Sequence, residues 1–213
     1  LRLGAGPYPA ARLIPQALGQ LLQRYPRVQV KLDIANWLEL RDSLLDSTIE
    51  LFVADIRELQ DDAQLRIEPL RVHQGVLFCR PAHPLLQRQN LQLRDLLDFP
   101  LAGTQLPQVV ERSLGLASGR AQPLSVQCDN FLVLKRLVAD SDVLSMAPWD
   151  VIADEVDSGQ LALLPLLPQG LHQHSAYGLV SRAGHSLSPA AQAMVEAIRR
   201  VDEETPRAGR AAD

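Results

Sequence analysis

The sequence predicts an α/β protein of two small Rossmann-like lobes, and three observations carry that prediction. One pattern of apolar runs and amphipathic segments is written twice, roughly a hundred residues apart. Helical-period segments alternate with short strand-like runs, the order that builds parallel sheets with helical crossovers. The two copies are of matching size, so they read as sister lobes with a cleft between them, a place to hold a small molecule.

In the first copy, Leu1–Gly6 is an apolar run closed by a glycine-containing turn. Ala10–Tyr25 repeats apolar residues at i, i+3, i+4 and i+7, which predicts one long amphipathic helix. Pro9 suits its first turn and Pro26 stops it. Val28–Ala35 alternates apolar and polar residues, as a half-buried strand does. Asn36 and Glu39 have capping-box spacing ahead of a helix over Trp37–Ser47, whose apolar positions are Leu38, Leu44, Leu45 and Ile49. Glu50–Ala54 is the third run. A charged connector, Asp55–Gln64, then leads to an extended segment, Leu65–Arg80, able to run from one lobe to the other. Pro81 and Pro84 break it, and a short helix follows over Leu91–Phe99.

The second copy runs Leu101–Thr104, Gln108–Leu116, Leu124–Asp129, Phe131–Ser141 and Val143–Ala147. A helix over Val151–Asp157, closed by Gly159, precedes two strands, Leu161–Leu167 and Ser175–Ser181. The second of these strands returns to the first lobe. Ser188 and Pro189 start a last helix with Ala190, Ala193, Met194, Ala197, Ile198 and Val201 on one face. Thr205–Asp213 reads as a frayed tail. Residues 1–72 with 175–213 therefore form lobe I and residues 73–174 lobe II, joined by crossovers near Val72–Gln74 and Gln173–Tyr177.

Composition narrows the function. The 213 residues carry 21 basic and 25 acidic side chains, a net charge of −4, with no basic block. Nucleic-acid binding needs a concentrated positive face, so this chain is not expected to bind DNA by itself. No apolar stretch reaches the ~18 residues of a membrane span. The acidic cluster Asp150, Asp154, Glu155 and Asp157 reads as a solvated helix face. Cys79 and Cys128 lie in apolar runs and read as two buried thiols, a usage that favours a reducing compartment. The chain starts without Met or a secretory pattern, as a fragment or processed product would.

No catalytic or cofactor motif is complete in this sequence. Gly4-Ala5-Gly6 follows a strand, but Pro9 stands where a dinucleotide fingerprint needs its third glycine. Walker A, Gly-x-Ser-x-Gly and His-Glu-x-x-His are absent. His172 and His174 share a strand face without a third ligand in register, so they read as surface or hinge histidines. Cys128 beside Asp129 has no recognisably spaced histidine. No catalytic residue, metal ligand or cofactor is assigned.

Ligands of such sheets sit beyond the carboxyl ends of the strands, against helix starts. That rule selects Gly6, Pro7, Tyr8, Asn36, Trp37 and Asp55 in lobe I. In lobe II it selects Thr104, Pro107, Gln108, Asp129, Asn130, Phe131, Pro148 and Trp149. The two tryptophans fall at what look like equivalent corners of the two copies, each either a hydrophobic plug or a ligand contact. Free N–H groups at the helix starts would favour a carboxylate or other anion, whereas Asp55 and Asp129 would favour a cationic group. An amphoteric or carboxylate-bearing effector reconciles the two.

The chain also resembles the effector-binding domain of LysR-type transcriptional regulators over essentially Leu1–Asp202. The stretches that carry the resemblance include Leu1-Arg2-Leu3-Gly4-Ala5-Gly6, Leu13-Ile14-Pro15, Tyr25-Pro26-x-Val28-x-Val30 and Ile49-Glu50-Leu51. Arg80-Pro81-x-His83-Pro84-Leu85, Leu93-x-Asp95-Leu96, Leu137-Val138-Ala139, Gly159-x-Leu161 and Leu187-Ser188-Pro189-Ala190-Ala191 extend it. The resemblance implies a fold similar to type II periplasmic binding proteins and an inter-lobe effector pocket. It implies a cytoplasmic homodimer or tetramer and DNA binding through an N-terminal winged helix-turn-helix segment that this chain lacks. It places Tyr8, Asn36, Trp37, Pro107, Gln108, Asn130 and Phe131 where the family contacts its inducer. Trp37 departs from the family, which often has a small or hydroxylated residue there; the indole narrows the pocket or gives it an aromatic wall. The competing expectation is an extracytoplasmic solute-binding protein on the same lobes. An enzyme is not expected.

Overall fold

A computed structural model describes residues 1–112, 122–165 and 175–204. The chain divides into two compact units, Leu1–Val72 with Ser175–Asp213, and His73–His174. Each is built on a five-stranded mixed sheet.

In the first unit, β1 (Arg2–Ala5) lies between β2 (Lys31–Ile34) and β3 (Leu51–Asp55), parallel to both. Beyond β3, β10 (Tyr177–Arg182) runs antiparallel to β3 and to the edge strand β4 (Leu65–Pro69). The sheet order is β2-β1-β3-β10-β4, mixed where the sequence pattern implied parallel strands. One face packs on α2 (Leu13–Arg24) and α7 (Pro189–Glu204) through Leu3, Ile14, Leu21, Leu51, Met194 and Ile198, all buried. Leu40 and Leu44 of α3 (Trp37–Leu45) cover Phe52 and Val180 on the other face. Gly4 is hemmed in by α3 and β3: a Cβ there would stand 2.7 Å from Leu40 Cδ2 and 2.8 Å from Phe52 Cβ.

Three sequence expectations change in this unit. The helix expected over Ala10–Tyr25 is two helices, α1 (Pro7–Ala11) and α2, broken at Arg12 (φ −138°, ψ −60°). Pro15 is the cause: it has no N–H to give the Ala11 carbonyl and its ring crowds that oxygen. The strand expected over Val28–Ala35 is confined to Lys31–Ile34 because its sole partner, β1, offers four residues to pair with. In α3, Leu38 faces outward and Leu40 inward. Two residues turn roughly 200° around a helix, so both cannot face the sheet.

The second unit repeats the design. Here β6 (Leu101–Gly103) lies between β7 (Val126–Gln127) and β8 (Leu144–Pro148), parallel to both, and β5 (Gly75–Cys79) runs antiparallel to β8 and β9 (Ala162–Leu163). Residues 108–112 are the described part of helix α4. On one face α5 (Phe131–Ala139) sets Phe131 edge-on to Phe78, with ring centroids 6.4 Å apart. On the other, Leu85, Leu96 and Phe99 from two 3-10 turns pack on Leu77 and Leu144. The first of these turns, Pro84–Gln87, is capped by fully buried His83, whose Nδ1 accepts the Leu85 N–H at 3.1 Å.

The helix expected over Val151–Asp157 is a 3-10 turn, Trp149–Val151, followed by α6 (Ala153–Asp157), which Gly159 closes at φ +74°. The acidic cluster is correspondingly not one solvated face. Asp150 turns inward beside His73, Oδ1 to Nδ1 3.7 Å, and Glu155 pairs with Lys135. Cys79 is buried, but Cys128 is only half-buried because it follows the two-residue edge strand β7. His172, His174, the rest of the Gln108–Leu116 helix, part of the second crossover and the Thr205–Asp213 tail lie outside the described residues.

Candidate functional site

In each unit the three parallel strands end on the same edge of their sheet, and every candidate residue falls on one of those edges. Gly6 follows β1 and is the N-cap of α1; Pro7 and Tyr8 form its first turn, half-buried. Asn36 and Trp37 follow β2, and Asp55 ends β3. In the second unit Thr104, Pro107 and Gln108 follow β6, Asp129, Asn130 and Phe131 follow β7, and Pro148 and Trp149 follow β8. Local sequence puts them there: a strand of three to five residues, then a cap or proline that starts a helix.

The two units match residue for residue at their second turn. Asn36 Oδ1 accepts the N–H groups of Leu38 and Glu39, both at 3.1 Å, and Asn36 Nδ2 donates to Glu39 Oε1 at 2.8 Å. Asn130 Oδ1 accepts the N–H groups of Leu132 and Val133, at 3.1 and 3.3 Å. Trp37 therefore corresponds to Phe131, and Leu38 to Leu132. This corrects the expected equivalence of the tryptophans, because Trp149 follows the third strand of its unit whereas Trp37 follows the second.

The same bonds overturn the expectation of free N–H groups at the starts of α3 and α5, whereas Gly6 gives the start of α1 no side-chain cap. The caps already fill the donors that would otherwise meet an anion. Other rim donors are engaged too: Gly6 N–H gives to Val53 O at 2.7 Å, and Trp149 N–H gives to Gln74 O at 2.8 Å. Asp129 Oδ1 accepts the Gln105 N–H at 3.0 Å, tying two rim turns together. Asp55 holds Arg57 through its N–H at 2.9 Å and its guanidinium at 2.6 Å. Burial raises the Asp55 carboxyl above the ordinary aspartate range even though Arg57 opposes that shift.

Several candidates are occupied by packing. Phe131 is buried in the core of its unit against Phe78, with Lys135 Nζ 5.5 Å from its ring centre; a ring so placed fills the sheet face and its side chain is a plug. Thr104, Pro107 and Pro148 are also buried, while Gln108 and Asn130 stand exposed. Trp37 is half-buried against the Phe52 face of its sheet, yet its indole Nε1 is shielded from water with no hydrogen-bond partner among the described residues.

Selecting strand ends and first helical residues passed over the apolar side chains next to them on both rims. Leu38 is 49% exposed, Leu132 73% and Val133 50%, all in the first turns that Asn36 and Asn130 cap. Ile34, ending β2, is 54% exposed. The signal of Leu38, Leu132 and Val133 was legible: aliphatic residues in the first turn behind a capping asparagine, off the helix face that meets the sheet.

The model of the LysR substrate binding domain matches residues 1–203. This chain belongs to that family. It is 58% identical over 210 residues to the SDS degradation transcriptional activation protein of Pseudomonas sp. (strain ATCC 19151), covering 98% of this chain and 69% of that protein. It is 28% identical over 205 residues to the HTH-type transcriptional regulator GalR of Pseudomonas putida, covering 94% of this chain and 51% of the regulator. Among solved structures, the regulatory domain of Synechocystis PCC6803 CcmR in complex with 2-PG superposes with a TM-score of 0.75 at 19% identity, covering 97% of this chain and 98% of that one. The lobes therefore have the type II periplasmic-binding-protein-like fold of LysR regulatory domains. Membership makes the chain the substrate-binding domain of a transcriptional regulator, and its named relatives are regulators rather than transport proteins or enzymes. No helix among the described residues is long and apolar enough to cross a membrane.

Proposed function

We propose that this domain senses a small molecule at the carboxyl rims of its two sheets and thereby controls transcription by a cytoplasmic homodimer or tetramer. DNA is contacted by a winged helix-turn-helix segment outside this chain. Ligand binding biases the assembly between two arrangements that it binds with different affinity. The contact residues are drawn from Tyr8, Trp37 and Gln108, with Gly6, Asn36, Asp129 and Asn130 shaping the turns that carry them. The observation that carries this reading is the repeated rim: two sheets, each with three parallel strands ending at helix starts, the second start in each capped by asparagine. The 2-PG complex of the CcmR domain supports it by analogy of fold. The 58% identity to the SDS degradation activator supports a role in the response to alkyl sulfates.

The test is a thermal-stability screen of the purified chain against alkyl sulfates, their alcohol products and small organic anions. A true effector stabilises saturably, since binding to the folded state raises the melting temperature by mass action. Tyr8→Ala, Trp37→Ala or Gln108→Ala should weaken that response. Saturable binding that none of the three alters would refute the assigned site.

A further inference from the structure

We propose that Arg57 is the anion-recognising residue of the first unit: an effector's oxyanion takes the place of the Asp55 carboxylate on its guanidinium, and Asp55 takes up a proton from solvent. This rests on the sensing reading above and specifies its ligand class, a molecule with a sulfate, phosphate or carboxylate head. All the groups involved belong to one compact unit, Leu1–Val72 with Ser175–Asp213.

Place, packing and chain separation lead to it. Asp55 ends β3 on the edge where ligands of such sheets sit, and Arg57 follows two residues later. Asp55 alternates with Leu51 and Val53 and pairs with Tyr177 of β10, so it lies on the face against which Tyr8 packs. Both side chains of the ion pair are 21% exposed, within reach of a ligand yet largely shielded from water. The pair is local, Arg57 Nη1 to Asp55 Oδ2 at 2.6 Å. Opening it parts no two elements of the fold, unlike Arg41 with Asp62 or Arg80 with Asp142, which bridge 21 and 62 residues. Lys31 with Asp33 is as local but stands largely in water, where such a pair contributes little. A guanidinium meets carboxylate, sulfate and phosphate through the same planar fork, so one oxyanion can replace another on it.

The released carboxylate accounts for the proton. Burial above all, with the Glu58 charge nearby, raises the Asp55 carboxyl above the ordinary aspartate range, and Arg57 is what opposes them. With Arg57 turned to the effector, Asp55 keeps the burial and loses the cation, which favours its neutral form. Around it, Tyr177 and Tyr8 are phenols, a group that ordinarily titrates at about 10. Asp202 of α7 accepts the Arg71 N–H at 3.0 Å.

Octyl sulfate, below micelle formation, and octanol are titrated into the chain by calorimetry between about pH 8 and pH 5, in buffers of different ionisation heat, with far-UV circular dichroism confirming the fold. Affinity for octyl sulfate is expected to rise as pH falls, by at least about threefold over the range and at most about tenfold per pH unit, the limit for one linked proton. The buffer dependence should report proton uptake on binding. Asp55→Asn should bind octyl sulfate at least about threefold more tightly than wild type at about pH 8 and lose the pH dependence. Arg57→Gln should weaken it by at least about tenfold throughout, and octanol should bind wild type at least about tenfold more weakly than the sulfate.

Equal binding of octanol and octyl sulfate, affinity unchanged in Arg57→Gln, or a pH response that survives in Asp55→Asn would overturn the inference. Where Arg57→Gln does not fold, proton uptake by wild type and the Asp55→Asn comparison decide it. If octyl sulfate binds saturably and Tyr8→Ala weakens it while Arg57→Gln does not, sensing stands and exchange at Arg57 fails. If neither octyl sulfate nor any compound of the stability screen binds saturably, both readings fall.

Discussion

Replacing the two capping asparagines by alanine tests both the repeat and the claim that these two helix starts hold no open anion site. Asn36→Ala removes two accepted N–H bonds of 3.1 Å and the link to Glu39, and Asn130→Ala removes two of 3.1 and 3.3 Å. Loss of such a cap costs about 1 kcal/mol, within a range of roughly 0.5–2. For a chain of this size that is a fall in melting temperature of roughly 2–4 °C for each variant. The two sites lie in separate compact units, so the losses should add. Each substitution also uncovers two N–H groups at a helix start, where anions bind. At the second turn of the first unit the Glu39 carboxylate remains beside the vacated site, whereas Asn130→Ala exposes N–H groups next to Val133. Added sulfate at constant ionic strength should therefore restore Asn130→Ala more than Asn36→Ala, and raise wild type least. Differential scanning fluorimetry over a sulfate series measures all three. Unchanged melting in either variant, or a wild-type sulfate response equal to that of Asn130→Ala, would refute the reasoning.

Ser145 is fully buried in β8 with its hydroxyl lacking a partner among the described residues, so Ser145→Ala should be neutral or stabilising by up to about 1 kcal/mol in urea denaturation. Iodoacetamide at mildly alkaline pH should alkylate half-buried Cys128 and spare Cys79, whose thiol burial pushes up to about 12; peptide mass mapping reads the difference. Arg199 grips Glu68 at 2.5 and 2.6 Å and holds its carboxyl below the ordinary glutamate range. A depressed carboxyl adds stability above its unfolded pKa that is lost as pH falls through the folded one. The stability gap between wild type and Glu68→Gln should thus shrink as pH drops from about 6 towards 3. Both side chains are more than a third exposed, so the gap at neutral pH should stay below about 1 kcal/mol.

Much of this architecture was legible because it is local. The i, i+3, i+4 stripe of α2, the Asn36 cap with Glu39 three residues on, and the Ser188-Pro189 start of α7 each depend on neighbours within two turns. One error was local, the break that Pro15 makes between α1 and α2; others came where partners distant in sequence decide. Pairing with a four-residue β1 trimmed β2, and the sheet chose Leu40 over Leu38 as the inward residue of α3. At the rims, polar residues were legible as candidates. Whether their donors stay open is settled by bonds such as Gln105 N–H to Asp129, which joins segments 24 residues apart.

By itself the sequence determined that the chain is two copies of a strand–helix–strand–helix–strand unit, since hydrophobic period and turn chemistry are written in consecutive residues. Its ordered short motifs also determined the family. Only the tertiary structure decided that Phe131 is a core ring, that Asp150 turns inward, and that both asparagines close the helix starts while Leu38 and Leu132 stay in water. Burial and hydrogen-bond occupancy are properties of which surfaces meet, and no stretch of chain holds that information until its partners are in place.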